Sequence, residues 1–178
     1  GGTPFVQYRN KSAPRALRRA QAAEMLRICR AAGASLIIND DAALAFELQA
    51  QGVHLGQGDG APQDAAALLG PGALIGATVH TMVELDALRE SPIHYIGVGP
   101  VYGSRTKRIG LPDLGLEGLA RLCAVSPWPV IAIGGIGEHQ VREVISAGAH
   151  GVAIISAFCL APNPRHVAKR ILTLLEDC

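Results

Sequence analysis

Short apolar runs recur along this chain, each closed by a glycine-rich or polar step and followed by a stretch with helical spacing. The runs 5–9, 35–38, 52–55, 73–77, 94–98, 129–133 and 151–155 read as strands. The stretches 14–32, 42–49, 63–69, 81–90, 116–124, 138–147 and 165–175 read as helices. In the first helix Met25, Ile28, Cys29 and Ala32 share one face and Gly33 stops it. The fourth carries a capping signature, Thr81 with Glu84 three residues on. Continuous apolar strands alternating with helices predict a parallel sheet covered on both faces. Seven strand-helix units are visible over 1–178, which reads as a single domain without a linker. Polar residues close nearly every strand, as in a TIM (β/α)8 barrel, whereas an open doubly wound sheet gathers its site at one crevice. Because a barrel needs eight units and the chain starts at a strand, the expectation is a barrel lacking its first strand-helix unit here.

Composition narrows the function. With 49% hydrophobic and 17% charged residues the chain is not disordered. A formal net charge of +1 and 4% aromatics argue against a nucleic-acid surface. No apolar run reaches the roughly 18 residues of a membrane span, and no signal peptide is evident. Cys29, Cys123, Cys159 and Cys178 are widely spaced and form no metal pattern. They read as reduced thiols of a cytoplasmic protein. The oligomeric state is open, a homodimer included.

The chemistry lies at the strand ends. Gln7, Arg9 and Lys11 alternate, so continued extension would aim an amide and two cations at one point, as a phosphate or pyrophosphate requires. Asn39-Asp40 and Asp59 close the second and third strands. Two carboxylates brought together repel, and a hard cation such as Mg²⁺ relieves this. The plainer reading is a helix cap and a turn, although Asp41 is an equal candidate for the cap. Past the fifth strand, Ser104-Arg105-Thr106-Lys107 offers hydroxyls and cations to phosphate oxygens, or is an ordinary basic surface loop. Gly134-Gly135 and Ile155-Ser156 close the sixth and seventh strands, where barrels often hold a phosphate. His54, inside an apolar run, reads as a core residue. His80, at a strand end, is open to a site role. The Arg15, Arg18 and Arg19 cluster reads as a solvated helix face.

Taken together, 6–11 (VQYRNK), Ile38-Asn39-Asp40, 52–59 (GVHLGQGD), 95–100 (YIGVGP), Ser104-Arg105-Thr106-Lys107, 132–136 (AIGGI) and Ile155-Ser156 resemble thiamine phosphate synthases, in order and across nearly the whole chain. The resemblance implies a (β/α)8 barrel that joins 4-amino-5-hydroxymethyl-2-methylpyrimidine diphosphate to a thiazole phosphate, giving thiamine phosphate and pyrophosphate. It implies that Gln7, Tyr8, Arg9, Asn10, Lys11, Asn39 and Lys107 hold the pyrimidine diphosphate, and that Asp40 and Asp59 ligate Mg²⁺. Arg9, Lys11 and Lys107 would be the catalytic cations facing the leaving pyrophosphate. Thr78 stands where a Ser near the pyrimidine is usual. Ser104, Arg105, Thr106, Gly135, Ile155 and Ser156 would hold the thiazole phosphate. Ser104 replaces a usual Thr and Asn10 a usual Glu. Two alternatives stand beside this reading. One is a thiazole tautomerase of the same fold, with His80 as its base. The other is a non-catalytic barrel that binds a phosphorylated ligand.

Overall fold

A computed structural model describes residues 1–103 and 112–176. Seven parallel strands follow one another in chain order: β1 (Phe5–Tyr8), β2 (Ser35–Asn39), β3 (Gly52–Leu55), β4 (Leu74–Val79), β5 (Tyr95–Val98), β6 (Val130–Ile133) and β7 (Gly151–Ala153). The helices are α1 (Arg15–Ala31), α2 (Ala42–Leu48), α3 (Pro62–Leu69), α4 (Met82–Ala87), α5 (Gly115–Val125), α6 (Val141–Ser146), α7 (Ser156–Cys159) and α8 (Pro164–Glu176). A 3-10 turn at Glu138–Gln140 leads into α6. Two compact units are formed. One comprises Thr3–Thr78 with Ser91–His94, the other Gly1–Gly2, Val79–Glu90 and Tyr95–Cys178.

In the first unit β2 and β3 are buried almost throughout, because helices take one face and other core side chains the other. Leu36, Ile38, Leu44, Val53 and Ile75 are its most completely enclosed large side chains. The register sets Asn39 beside His54, and His54 beside Gly76. Gly52 is obligatory here, since a Cβ would sit 2.0 Å from the Leu74 carbonyl oxygen. In the second unit Ile96, Val98, Leu119, Leu122, Val130, Val141 and Val144 make the core. There the register runs Val98 to Ala132 and Ile133 to Ala153.

Three elements depart from the pattern along the chain. β4 runs on to Val79, so Thr78 lies within the strand and not after it. β7 stops at Ala153, and the following residues wind into the short α7, because Ser156 onward already makes helical backbone bonds such as Leu160 N–H to the Ser156 carbonyl. β1 ends at Tyr8 and the chain bends from Lys11 onward, so Arg9 and Lys11 lie past the strand and not within it.

The arginines of α1 are paired and not simply solvated. Arg15 and Arg19 reach Glu47 on α2, and Arg18 reaches Asp41. The capping box of α4 is present as read: Thr81 Oγ1 accepts from Glu84 N–H at 3.2 Å while Glu84 Oε2 accepts from Thr81 N–H. Thr81→Ala is expected to cost about 1 kcal/mol, a fall of about 2–4 °C in thermal denaturation, and Thr81→Ser to cost little.

Candidate functional site

The carboxylates of the first unit are placed by two tight turns. Asp40 N–H continues the ladder to the His54 carbonyl at 2.8 Å, and Asp41 N–H folds back to the Asn39 carbonyl at 2.9 Å. Asp40 therefore sits at the centre of a three-residue turn with φ at +68°. Such a positive-φ turn is uncommon and strained, and Asp or Asn tolerates it better than most residues. Asp41, with its Oδ1 accepting from Leu44 N–H at 2.9 Å, caps α2 and leaves Asp40 free of that duty. On β3 the turn 56–59 closes with Asp59 N–H to the Gly56 carbonyl, and Asp59 Oδ2 accepts from Gly56 N–H at 3.0 Å. A Cβ on Gly56 would lie 2.6 Å from that oxygen, so a larger residue there would displace the carboxylate.

The two turns bring the side chains of Asp40 and Asp59 within hydrogen-bonding reach of each other. Lys11 Nζ lies 2.5 Å from Asp40 Oδ2. Burial pushes the Asp40 carboxyl above its usual range. The ammonium of Lys11 pulls it down and the neighbouring Asp59 pushes it up. Lys11 thus pairs with one member of a carboxylate pair. Among the described residues no group of three or more Asp, Glu, His or Cys side chains gathers for a metal. A pair of carboxylates fits a hard cation that takes its remaining oxygens from phosphate and water.

The other residues of this half have distinct surroundings. Gln7 and Arg9 line a cavity of about 660 Å³ with Tyr8, Asn10 and residues of α1. Tyr8 and Asn10 turn toward α1: the Tyr8 hydroxyl and Asn10 Nδ2 both donate to Gln21 Oε1, at 2.9 and 3.0 Å. Asn10 Oδ1 also accepts from Ala13 N–H, which shapes the bend carrying Lys11. Thr78 is buried on β4, where His54 Nε2 meets its Oγ1 at 2.9 Å and Gln57 Nε2 donates to its carbonyl at 2.7 Å. Sequence reasoning had not joined His54, Gln57 and Thr78. The available signal was a polar residue inside each of two neighbouring apolar strands.

In the second unit the loop after β5 packs on the end of β6. Val101 N–H bonds the Ile133 carbonyl and Tyr102 N–H the Gly134 carbonyl. Gly135 has φ +68°, and a Cβ there would lie 2.6 Å from both the Tyr102 and Gly103 carbonyl oxygens. Gly135 and Ile155 each lie two residues past the registered pair Ile133 and Ala153, so both close neighbouring strands. Ile155 is 49% exposed and Ser156 is exposed beside it. Ser104, Arg105, Thr106 and Lys107 lie outside the described residues. His80 directs Nδ1 to the Gly99 carbonyl. A carbonyl only accepts, so Nδ1 carries the proton and Nε2 of the neutral ring is left as an acceptor. The three described cysteines, Cys29, Cys123 and Cys159, are free.

Residues 1–158 match the family model described as thiamine monophosphate synthase. The chain belongs to the thiamine monophosphate synthase family. It is 38% identical over 176 residues to the thiamine-phosphate synthase of Azorhizobium caulinodans, covering 99% of this chain and 83% of that one. It is 41% identical to the thiamine biosynthesis bifunctional protein ThiED of Geobacter sulfurreducens, where it spans 36% of the longer relative. In structure it is similar to the thiamine phosphate pyrophosphorylase of Pyrococcus furiosus, with a TM-score of 0.89 at 29% identity, over 99% of this chain and 85% of that one. The fold is accordingly the TIM-like α/β fold of this family. Among the described residues no helix is long and apolar enough to cross a membrane.

The Tyr102 hydroxyl ties the β5 loop to α6, donating to Glu143 Oε1 at 2.6 Å. Burial and then Glu143 push its pKa from 10.0 up to about 12. The folded chain holds this proton more tightly than the unfolded one, so the stabilisation is full below pH 10 and lost as pH rises toward 12. Tyr102→Phe is expected to flatten the fall of the melting temperature across that window relative to wild type.

Proposed function

We propose that this chain couples 4-amino-5-hydroxymethyl-2-methylpyrimidine diphosphate with 4-methyl-5-(2-phosphooxyethyl)thiazole to give thiamine phosphate and pyrophosphate. Family membership supplies the reaction. The single structural observation that supports the site is the approach of Asp59 to Asp40, with Lys11 paired to Asp40.

In this reading Asp40 and Asp59 hold Mg²⁺, and the ion, when bound, supplies positive charge to the diphosphate. Lys11, Arg9 and Lys107 provide the protein's share of that charge, with Gln7 and Asn39 placing the diphosphate by hydrogen bonds. The bond between the pyrimidine methylene carbon and the diphosphate oxygen breaks, and pyrophosphate leaves with the electron pair. The thiazole nitrogen then donates its lone pair to the methylene carbon. The work asked of the chain is leaving-group electrostatics and alignment, with no protein nucleophile. Gly135, Ile155 and Ser156, together with Ser104, Arg105 and Thr106, hold the thiazole phosphate. Tyr8 and Asn10 act on the diphosphate indirectly, through Gln21 and the bend that carries Lys11.

Seven parallel strands support the finer fold reading, a (β/α)8 barrel of which this chain carries seven units. Free thiols accord with a cytoplasmic setting. Monomer and homodimer are both compatible with the chemistry, and sedimentation separates them.

The direct test is pyrophosphate release with both substrates and Mg²⁺; release that needs all three supports the reading, and none refutes it. Asp40→Asn keeps a residue suited to the positive φ. It should fold, yet lose the Mg²⁺-dependent rise in melting temperature that a saturating ligand confers, along with turnover. An unchanged Mg²⁺ response would remove the metal assignment. Lys107→Ala should lower kcat by about a hundredfold or more, as for other charge-stabilising groups, measured under saturating Mg²⁺.

A further inference from the structure

We propose that His54 is a positioning residue for the aminopyrimidine, acting through Thr78; this rests on the coupling reading above and on the family resemblance, which sets a hydroxyl at position 78 near that ring. His54 and Thr78 are 8% and 3% exposed and are the polar residues of the buried core among those described. Their contact, Nε2 to Oγ1 at 2.9 Å, spans β3 and β4. A threonine hydroxyl has one proton and two lone pairs. When it donates to Nε2, both lone pairs face away from the imidazole and can accept from an exocyclic amine. When an aliphatic residue replaces His54, the hydroxyl is free to rotate and to present its proton instead, which repels an amine. The Thr78 backbone is held independently, by Gln57 Nε2 on its carbonyl. What His54 decides is therefore the direction of the hydroxyl and not the position of the strand. His54 also accepts Asp40 N–H at its own carbonyl. The same residue thus sets the strained carboxylate turn with its backbone and the hydroxyl with its side chain. A purely structural buried pair would affect stability alone; this one sets a preference between a ring donor and a ring acceptor.

The test uses His54→Leu, His54→Gln, Thr78→Val and the double variant His54→Leu/Thr78→Val. Calorimetric binding of the 4-amino pyrimidine diphosphate and its 4-oxo analogue is measured, with steady-state kinetics alongside. Wild type should favour the 4-amino compound. His54→Leu and Thr78→Val should each weaken its binding by about tenfold, the scale of one net hydrogen bond, raising KM more than they lower kcat. The double variant should bind no worse than Thr78→Val, because the two residues act as one unit. His54→Gln, which carries an amide near the Nε2 position, should restore most of the preference. If His54→Leu does not fold, His54→Met, which also lacks a comparable acceptor, is measured in its place. Unchanged 4-amino to 4-oxo discrimination in the folded aliphatic variants of His54, or in Thr78→Val, overturns the proposal, even if their melting temperatures fall. Loss of discrimination by calorimetry while wild type releases no pyrophosphate would uphold it and refute the coupling reaction. Absence of binding by wild type overturns both.

Discussion

The constraint on which this molecule turns is the proximity of two like charges. Asp40 and Asp59 stand at the ends of neighbouring strands, each held there by a tight turn. Asp40 occupies the left-handed region in a three-residue turn, which has an energetic cost, and Asp59 folds its carboxylate back onto the Gly56 N–H. Strain of this kind persists only where the surrounding structure enforces it, and it collects at sites that bind or react. The Lys11 ammonium, paired with Asp40, offsets part of the repulsion. A hard divalent ion with phosphate oxygens would offset the rest.

Around this pair the first unit is arranged as a set of hydrogen bonds between strand ends. His54 holds Asp40 through its backbone and Thr78 through its ring, and Gln57 holds the Thr78 carbonyl. Tyr8 and Asn10 converge on Gln21 and so fix the bend that presents Lys11. Few of these side chains are free to move without losing a partner. Preorganisation of this sort suits a reaction whose barrier is lowered by fixed charge and alignment, and not by covalent attack.

The second unit uses backbone where the first uses side chains. Gly135 allows the loop after β5 to approach so closely that any side chain there would strike two carbonyl oxygens. Tyr102 then fastens this loop to α6 through Glu143. Ile155 and Ser156 are exposed just past β7, beside the registered end of β6.

Much of this was legible from residues alone. The seven apolar runs are strands because a parallel sheet buries both faces, which leaves an unbroken apolar signal. The Thr81 and Glu84 cap is local and needs no tertiary context. Asp40, Asp59 and Lys11 could be singled out as candidates because each follows an apolar strand, where polar groups collect at a barrel rim. Their grouping could not be deduced from spacing: Lys11 pairs with Asp40 across from the next strand end, beyond the last residue of β1. The length of β4 and the winding of α7 were likewise settled by backbone hydrogen bonds to distant or helical partners. The pairing of His54 with Thr78 depended on strand register, which only the assembled sheet defines. Local chemistry thus fixed which residues matter, and tertiary structure decided which of them touch, because contacts across strands are set by register and turn geometry and not by separation along the chain.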